Sequence, residues 1–187
     1  MTDEQPPHVL LDEVGVEQAL GRLADEIVAS GRTDDLMLVG IRRRGVELAE
    51  RLAHLVSSRI GRPVDRGTLD ITLYRDDFAQ IGSRPLIGTT DIPGDITDRR
   101  VVIVDDVLYT GRTVRAALNE IADFGRPARI ELAVLIDRGG RELPIQADFV
   151  GVACEVPVGS HVSVHVPAED GELGAWIVSG AEDARSA

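Results

Sequence analysis

At 187 residues, 43% of them apolar and 28% charged, the chain can bury one sizeable core and has the balance of a soluble globular protein. No run approaches the ~20 apolar residues of a membrane span, and the acidic, polar start Met1-Thr-Asp-Glu-Gln-Pro-Pro7 is unlike a secretory signal. The net charge of −12 gathers at the two ends, residues 1–30 and 142–187, and every basic residue is arginine; without lysine, a Walker-type phosphate loop and Schiff-base chemistry are excluded.

In chain order, Asp12 is placed to cap a helix with apolar positions Val16, Leu20, Leu23, Ile27 and Val28, and Gly31 to end it. Leu36-Met-Leu-Val-Gly-Ile41 reads as a short, fully buried strand, followed by the tight basic turn Arg42-Arg-Arg-Gly45. Val46 to Ile60 has helical periodicity through Leu48, Ala49, Leu52, Leu55 and Val56, with Gly61 and Pro63 as stops. Leu69-Asp-Ile-Thr-Leu-Tyr74 alternates as a strand does. Residues 75–97 show little periodicity, and a loop of that length in a compact domain is commonly functional.

Val101-Val-Ile-Val-Asp-Asp-Val-Leu-Tyr-Thr-Gly-Arg-Thr113 is the most informative stretch. Val101, Val102, Ile103 and Val104 predict a buried strand. Asp105 and Asp106 follow, then Val107, Leu108 and a loop through Tyr109, Thr110, Gly111, Arg112 and Thr113 into an amphipathic helix over 114–124. Backbone N–H groups and hydroxyls at a helix N-terminus suit an anion, and the helix dipole adds to the attraction. Two carboxylates beside that cradle can accept hydrogen bonds from vicinal hydroxyls. Hydroxyls next to a phosphate describe a ribose 5-phosphate.

Arg129 to Ile136 predicts a further buried strand, and Phe149–Ala153, His161–Val166 and Ala175–Val178 short ones. Alternating strands and helices imply an α/β fold, a parallel sheet flanked by helices, with ligands beyond the carboxyl ends of the strands. Ile41 to Gly45, Tyr74-Arg75, Asp105-Asp106 and Asp137-Arg138 all fall at such ends. The chain is expected to form one domain over 1–187, with 1–10 and 181–187 as disordered tails. His161 and His165 share a strand face and, without a third ligand, read as a surface pair. The lone Cys154 cannot close an internal disulfide, which fits a cytoplasmic setting.

The run from Val101 to Thr113 resembles the phosphoribosyl-pyrophosphate (PRPP) motif of type I phosphoribosyltransferases. Together with Asp70-Ile-Thr-Leu-Tyr-Arg-Asp-Asp77, Asp91-Ile-Pro-Gly-Asp-Ile-Thr-Asp98 and Asp137-Arg-Gly-Gly-Arg-Glu-Leu-Pro144, it looks like the PyrR family, from about Leu11 to Val152. That family joins uracil phosphoribosyltransferase activity to attenuation of pyrimidine-operon messenger RNA. The resemblance implies a type I phosphoribosyltransferase-like sheet with a small hood and a flexible lid loop. It implies uracil and PRPP as substrates, UMP as product, Mg²⁺ carried with PRPP, and a homodimer or higher assembly. Asp105 and Asp106 would then hold the ribose, Tyr109 to Thr113 the 5-phosphate, and Arg42, Arg43, Arg44 and Gly45 the pyrophosphate. Tyr74 and Arg75 would close as a lid, and Asp137 and Arg138 would belong to the base hood. Alternatives are a UMP-sensing RNA-binding attenuator with little catalysis, a transferase for another base, and a receiver-type domain, which would need a lysine that this chain lacks.

The family's RNA surface draws on the first helix and on the segment after Asp137. At polar or basic family positions there, this chain carries Gly21, Asp25, Gly140, Gln146 and Val152, while Arg138 and Arg141 remain. RNA affinity rests largely on phosphate neutralisation, so binding to the messenger leader is expected to be weakened.

Overall fold

The computed structural model describes residues 7–74 and 89–180. Its elements in chain order are β1 (His8–Leu11), α1 (Glu13–Ala29), β2 (Leu36–Ile41), α2 (Arg44–Ile60), β3 (Asp65–Leu69), a 3-10 turn (Ile71–Tyr74), β4 (Arg100–Leu108), α3 (Arg112–Ala122), β5 (Arg129–Asp137), β6 (Phe149–Ala153), β7 (Ser160–His165), α4 (Pro167–Asp170) and β8 (Gly174–Ser179).

Five strands form a parallel sheet in the order β3-β2-β4-β5-β6. The inner strands are apolar on both sides because both faces are covered. Val102 and Val104 of β4 join one core with α1 and α2, and Val101 and Ile103 join a second with α3. The first core runs on without a break into the hood, a separate antiparallel sheet β1-β8-β7, through Val162, Val164, Val166, Leu173 and Ala175.

Local signals set the helix ends. The Asp12 carboxylate accepts from the Gly15 amide at 2.8 Å, and Gly61 closes α2 in the left-handed region at φ 71°. Helix α1 stops at Ala29 with Ser30 as its cap, two residues before Gly31.

Three expectations need correction. Leu69–Tyr74 is not a strand: β3 ends at Leu69, and the Asp70 carboxylate accepts from the Thr72 amide at 3.0 Å and from the Thr72 hydroxyl, which turns the chain into a 3-10 helix. Residues 8–10 are not a tail but part of β1, paired with β8 as His8 to Ile177 and Val9 to Trp176. His161 and His165 are half-buried rather than a surface pair; His165 Nδ1 lies 2.9 Å from Glu172, and its ring packs 4.6 Å from Trp176. The expected tail 181–187 and most of the long 75–97 loop lie outside the described residues; of the loop, Asp91 bridges to Thr68 and Ile96 is fully buried. No helix among the described residues is long and apolar enough to cross a membrane.

Candidate active site

The parallel sheet brings the carboxyl ends of β2, β4 and β5 side by side, so the loops that follow them share one rim. The paired acids stand at the centre. Asp105 is buried and Asp106 half-buried. Each carboxylate folds toward the strand's end: Asp105 Oδ1 accepts from the Asp106 amide at 3.0 Å, and Asp106 Oδ1 from the Val107 amide at 2.8 Å. Burial pushes the Asp105 carboxyl well above the usual carboxylate range, and the neighbouring Asp106 charge adds to the rise.

Beyond them, Tyr109, Thr110 and Gly111 turn the chain into α3. Gly111 caps the helix at φ 92°, a conformation that a side chain would strain. The first turn of α3 therefore starts at the rim, with the Arg112 amide donating to the Thr110 hydroxyl at 3.3 Å. The segment after β5 steadies this loop. The Thr110 carbonyl accepts from the amides of Glu142 and Leu143 at 3.0 and 3.1 Å. Arg141 donates to the carbonyls of Tyr109 (3.0 Å) and Ile145 (2.9 Å) and pairs with Asp137 at 2.5 Å. The Arg138 guanidinium lies 4.0 Å above the Tyr109 ring and donates to the Ser160 carbonyl of the hood at 3.0 Å. Gly140 packs so closely that a Cβ there would come within 2.4 Å of the same ring. On the outer edge, Arg112 pairs with Glu142 at 2.7 Å.

The arginine turn sits beside β4, and its glycine packs against that strand. A Cβ on Gly45 would lie 2.6 Å from the Val104 carbonyl oxygen. The bare backbone lets α2 start against β4. Gly40 serves the same turn, since a Cβ there would fall 2.4 Å from the Gly45 carbonyl oxygen. The Arg42–Arg43 peptide is cis. Arg42 donates to the Thr89 carbonyl at 3.1 Å, and Arg43, largely exposed, faces Glu169 at 3.6 Å. Arg44 is committed elsewhere: both arms of its guanidinium meet Asp170, at 3.0 and 3.1 Å. This pair raises the Arg44 pKa, with a further contribution from Asp106.

The rim thus brings together Asp105, Asp106, the Tyr109–Thr113 loop, Arg42, Arg43, Asp137 and Arg138. Arg75 and the side chain of Tyr74 lie outside the described residues. Sequence reasoning passed over Glu169 and Asp170 and gave Arg141 only to the RNA surface; their contacts depend on a partner 126 residues away in one case and on a loop fold in another. Among the described residues no group of three His, Cys, Asp or Glu is placed to hold a metal.

The matching family model is the phosphoribosyl transferase domain, over residues 9–170. The chain is 51% identical over 174 residues to the bifunctional protein PyrR of Pelotomaculum thermopropionicum, covering 92% of this chain and 96% of that one. It is 55% identical over 157 residues to the PyrR of Chloroflexus aurantiacus, covering 83% and 86%. In fold it is similar to a hypoxanthine-guanine phosphoribosyltransferase from Bacillus anthracis, with a TM-score of 0.70 at 16% identity over 94% of this chain and 99% of that one. A Trypanosoma cruzi hypoxanthine phosphoribosyltransferase gives 0.69 at 20% identity over 91% and 94%. With a five-stranded parallel sheet, paired acids at its centre and a glycine-capped helix start beside them, the chain belongs to the phosphoribosyl transferase family and, within it, to the PyrR proteins.

Proposed function

We propose that the chain transfers the 5-phosphoribosyl group of PRPP to N1 of uracil, giving UMP and pyrophosphate. The observation that carries this reading is the buried Asp105 beside Asp106 in the C-terminal half of β4, one loop away from the N-terminus of α3. Such a rim fits a sugar hydroxyl pair and a phosphate at once.

The reaction needs no covalent nucleophile. As the bond from C1 to pyrophosphate lengthens, positive charge develops on the ribose, as in glycosyl transfer generally. Asp106 stands where it can hold a ribose hydroxyl and face that charge. Asp105, buried beside it, can take the neighbouring ribose hydroxyl. Amides and hydroxyls from Tyr109 to Thr113 receive the 5-phosphate. Arg42 and Arg43 receive the pyrophosphate, Tyr74 and Arg75 cover the reactants, and the Asp137–Arg138 segment frames the base. Positioning and electrostatic stabilisation therefore supply most of the rate. Mg²⁺ suits this set of groups, because it is commonly held by one or two carboxylates together with substrate phosphates rather than by a protein cage. Bound there, it would neutralise the leaving pyrophosphate.

Uracil-dependent formation of UMP from PRPP in the presence of Mg²⁺ tests the reading. Turnover with hypoxanthine and none with uracil would replace it with a purine transferase.

A second role, binding of a messenger-RNA leader, is proposed to be weak. The two cations that follow Asp137 are used inside the protein, Arg138 on Tyr109 and Ser160, and Arg141 on Asp137 and two carbonyls. On α1, Asp25 pairs with Arg59 at 2.5 Å. Filter binding of the operon leader, with and without UMP, tests this; UMP-enhanced binding at nanomolar protein would overturn it.

A further inference from the structure

The arginine turn is held from outside the sheet. Helix α4, in the connection between the hood strands β7 and β8, sets two acids against it. Asp170 grips Arg44 with both oxygens, and one of those oxygens also accepts from the Val166 amide at 2.9 Å. The Asp170 side chain is 17% exposed and that of Arg44 30%, so this is a semi-buried pair with fixed geometry. The Ala168 amide adds a third tie, donating to Glu47 of α2 at 3.0 Å. Glu169 is different. It faces Arg43 at 3.6 Å, and the two side chains are 41% and 74% exposed. A pair that long and that wet is readily exchanged for a stronger anion.

We propose that Asp170 is a positioning residue for the pyrophosphate-binding turn, and that Glu169 is the counter-charge that pyrophosphate displaces from Arg43. The inference rests on the phosphoribosyl transfer reading. Arg44 opens α2, next to the turn that carries Arg42 and Arg43. Held by Asp170, it stays at the base of the turn as a strut. Released, it no longer ties the turn to α4, and the backbone that presents Arg42 and Arg43 loses its anchor. Glu169 meanwhile keeps Arg43 extended over the rim and partly neutralised. Incoming pyrophosphate or PRPP must replace that contact, and departing pyrophosphate is helped away by its return.

The two acids therefore act in opposite senses on the same ligand. In the purified full-length chain with Mg²⁺, Asp170→Asn is expected to raise KM for PRPP about tenfold while kcat stays within about twofold. Glu169→Gln is expected to lower the inhibition constant of pyrophosphate by about threefold and to lower KM for PRPP in parallel. Glu172→Gln, which loosens the hood only at His165, should change neither constant. An Asp170→Asn protein that melts lower but keeps its KM would make the residue a mere clamp and overturn the proposal. So would Glu169→Gln with unchanged pyrophosphate inhibition. If Asp170→Asn does not fold, Asp170→Glu, which misplaces the carboxylate by one methylene, should show the same rise in KM; an unchanged KM there also overturns it. Calorimetric titration with PRPP and with pyrophosphate separates the levels of failure. A wild-type chain that binds neither takes the transferase reading down with the proposal, whereas an active wild type with indifferent variants removes only the roles of the two acids.

Discussion

The loop after β4 and the turn after β2 do similar work by different means. Both join a central parallel strand to a helix at the same rim, and both are proposed to receive phosphate. The β4–α3 loop is shaped mainly by backbone contacts: a glycine cap at Gly111, the amides of Asp106 and Val107 held by the carboxylates before them, and a Thr110 carbonyl that takes the amides of Glu142 and Leu143. The β2–α2 turn is built from side chains whose partners come from elsewhere, Thr89 for Arg42, Glu169 for Arg43 and Asp170 for Arg44. A backbone cradle tolerates little change of shape, whereas a cradle of paired arginines can be tuned by changing the partners.

The sharpest test of the local cradle is Asp106→Ala. Loss of a group that faces developing charge should cut kcat by about 10²–10³-fold, measured as UMP formation, with the fold retained by circular dichroism. A tenfold loss or less would mean that the acids matter less than the cradle. Gly45→Ala comes next. A methyl group 2.6 Å from the Val104 carbonyl oxygen must push α2 off β4, which should cost about 1–3 kcal/mol in urea unfolding. If Gly45 instead served only to admit phosphate, stability would hold and only the KM for PRPP would rise. Arg141→Lys should have a smaller effect. Lysine cannot reach Asp137 and two carbonyls at once, so the loss should be about 0.5–1.5 kcal/mol with a modest rise in KM, since the Tyr109 carbonyl loses its donor.

The smallest effect is expected at Glu120, which lies on α3 far from the acids of β4. Its carboxylate accepts from the Thr90 hydroxyl, which in turn accepts from the Asp70 amide at 2.9 Å. Burial raises the Glu120 pKa, the Thr90 hydrogen bond opposes the rise, and Asp70 adds to it. A carboxyl with a raised folded pKa binds more protons folded than unfolded, so stability falls as pH climbs through the carboxylate range. Glu120→Gln should remove that fall, giving a higher Tm than wild type at neutral pH and a matching one in acid. A constant difference at every pH would assign the effect to packing.

The same contrast explains what the sequence made legible. Strand β4, the Asp105–Asp106 pair and the cap at Gly111 are contiguous, and their chemistry lies in residue order. The all-buried run of β2 and the stop at Gly61 are legible for the same reason. The hood strand β1 was not, because four residues at a sheet edge carry no period of their own and gain their bonds from β8. Asp70 reversed the reading of 69–74 by capturing the Thr72 amide, a contact that alternation does not report. Arg42, Arg43 and Arg44 look alike in sequence, and only the approach of Thr89 and α4 gives each a different partner.

The hood shares its interior with α1 and α2 through Val162, Val164 and Ala175, whereas α3 lies over a core of its own. The hood therefore packs with the α1 and α2 face of the sheet, so a cavity cut at Val164 is felt first in the packing of those helices, and one cut at Ile121 beneath α3.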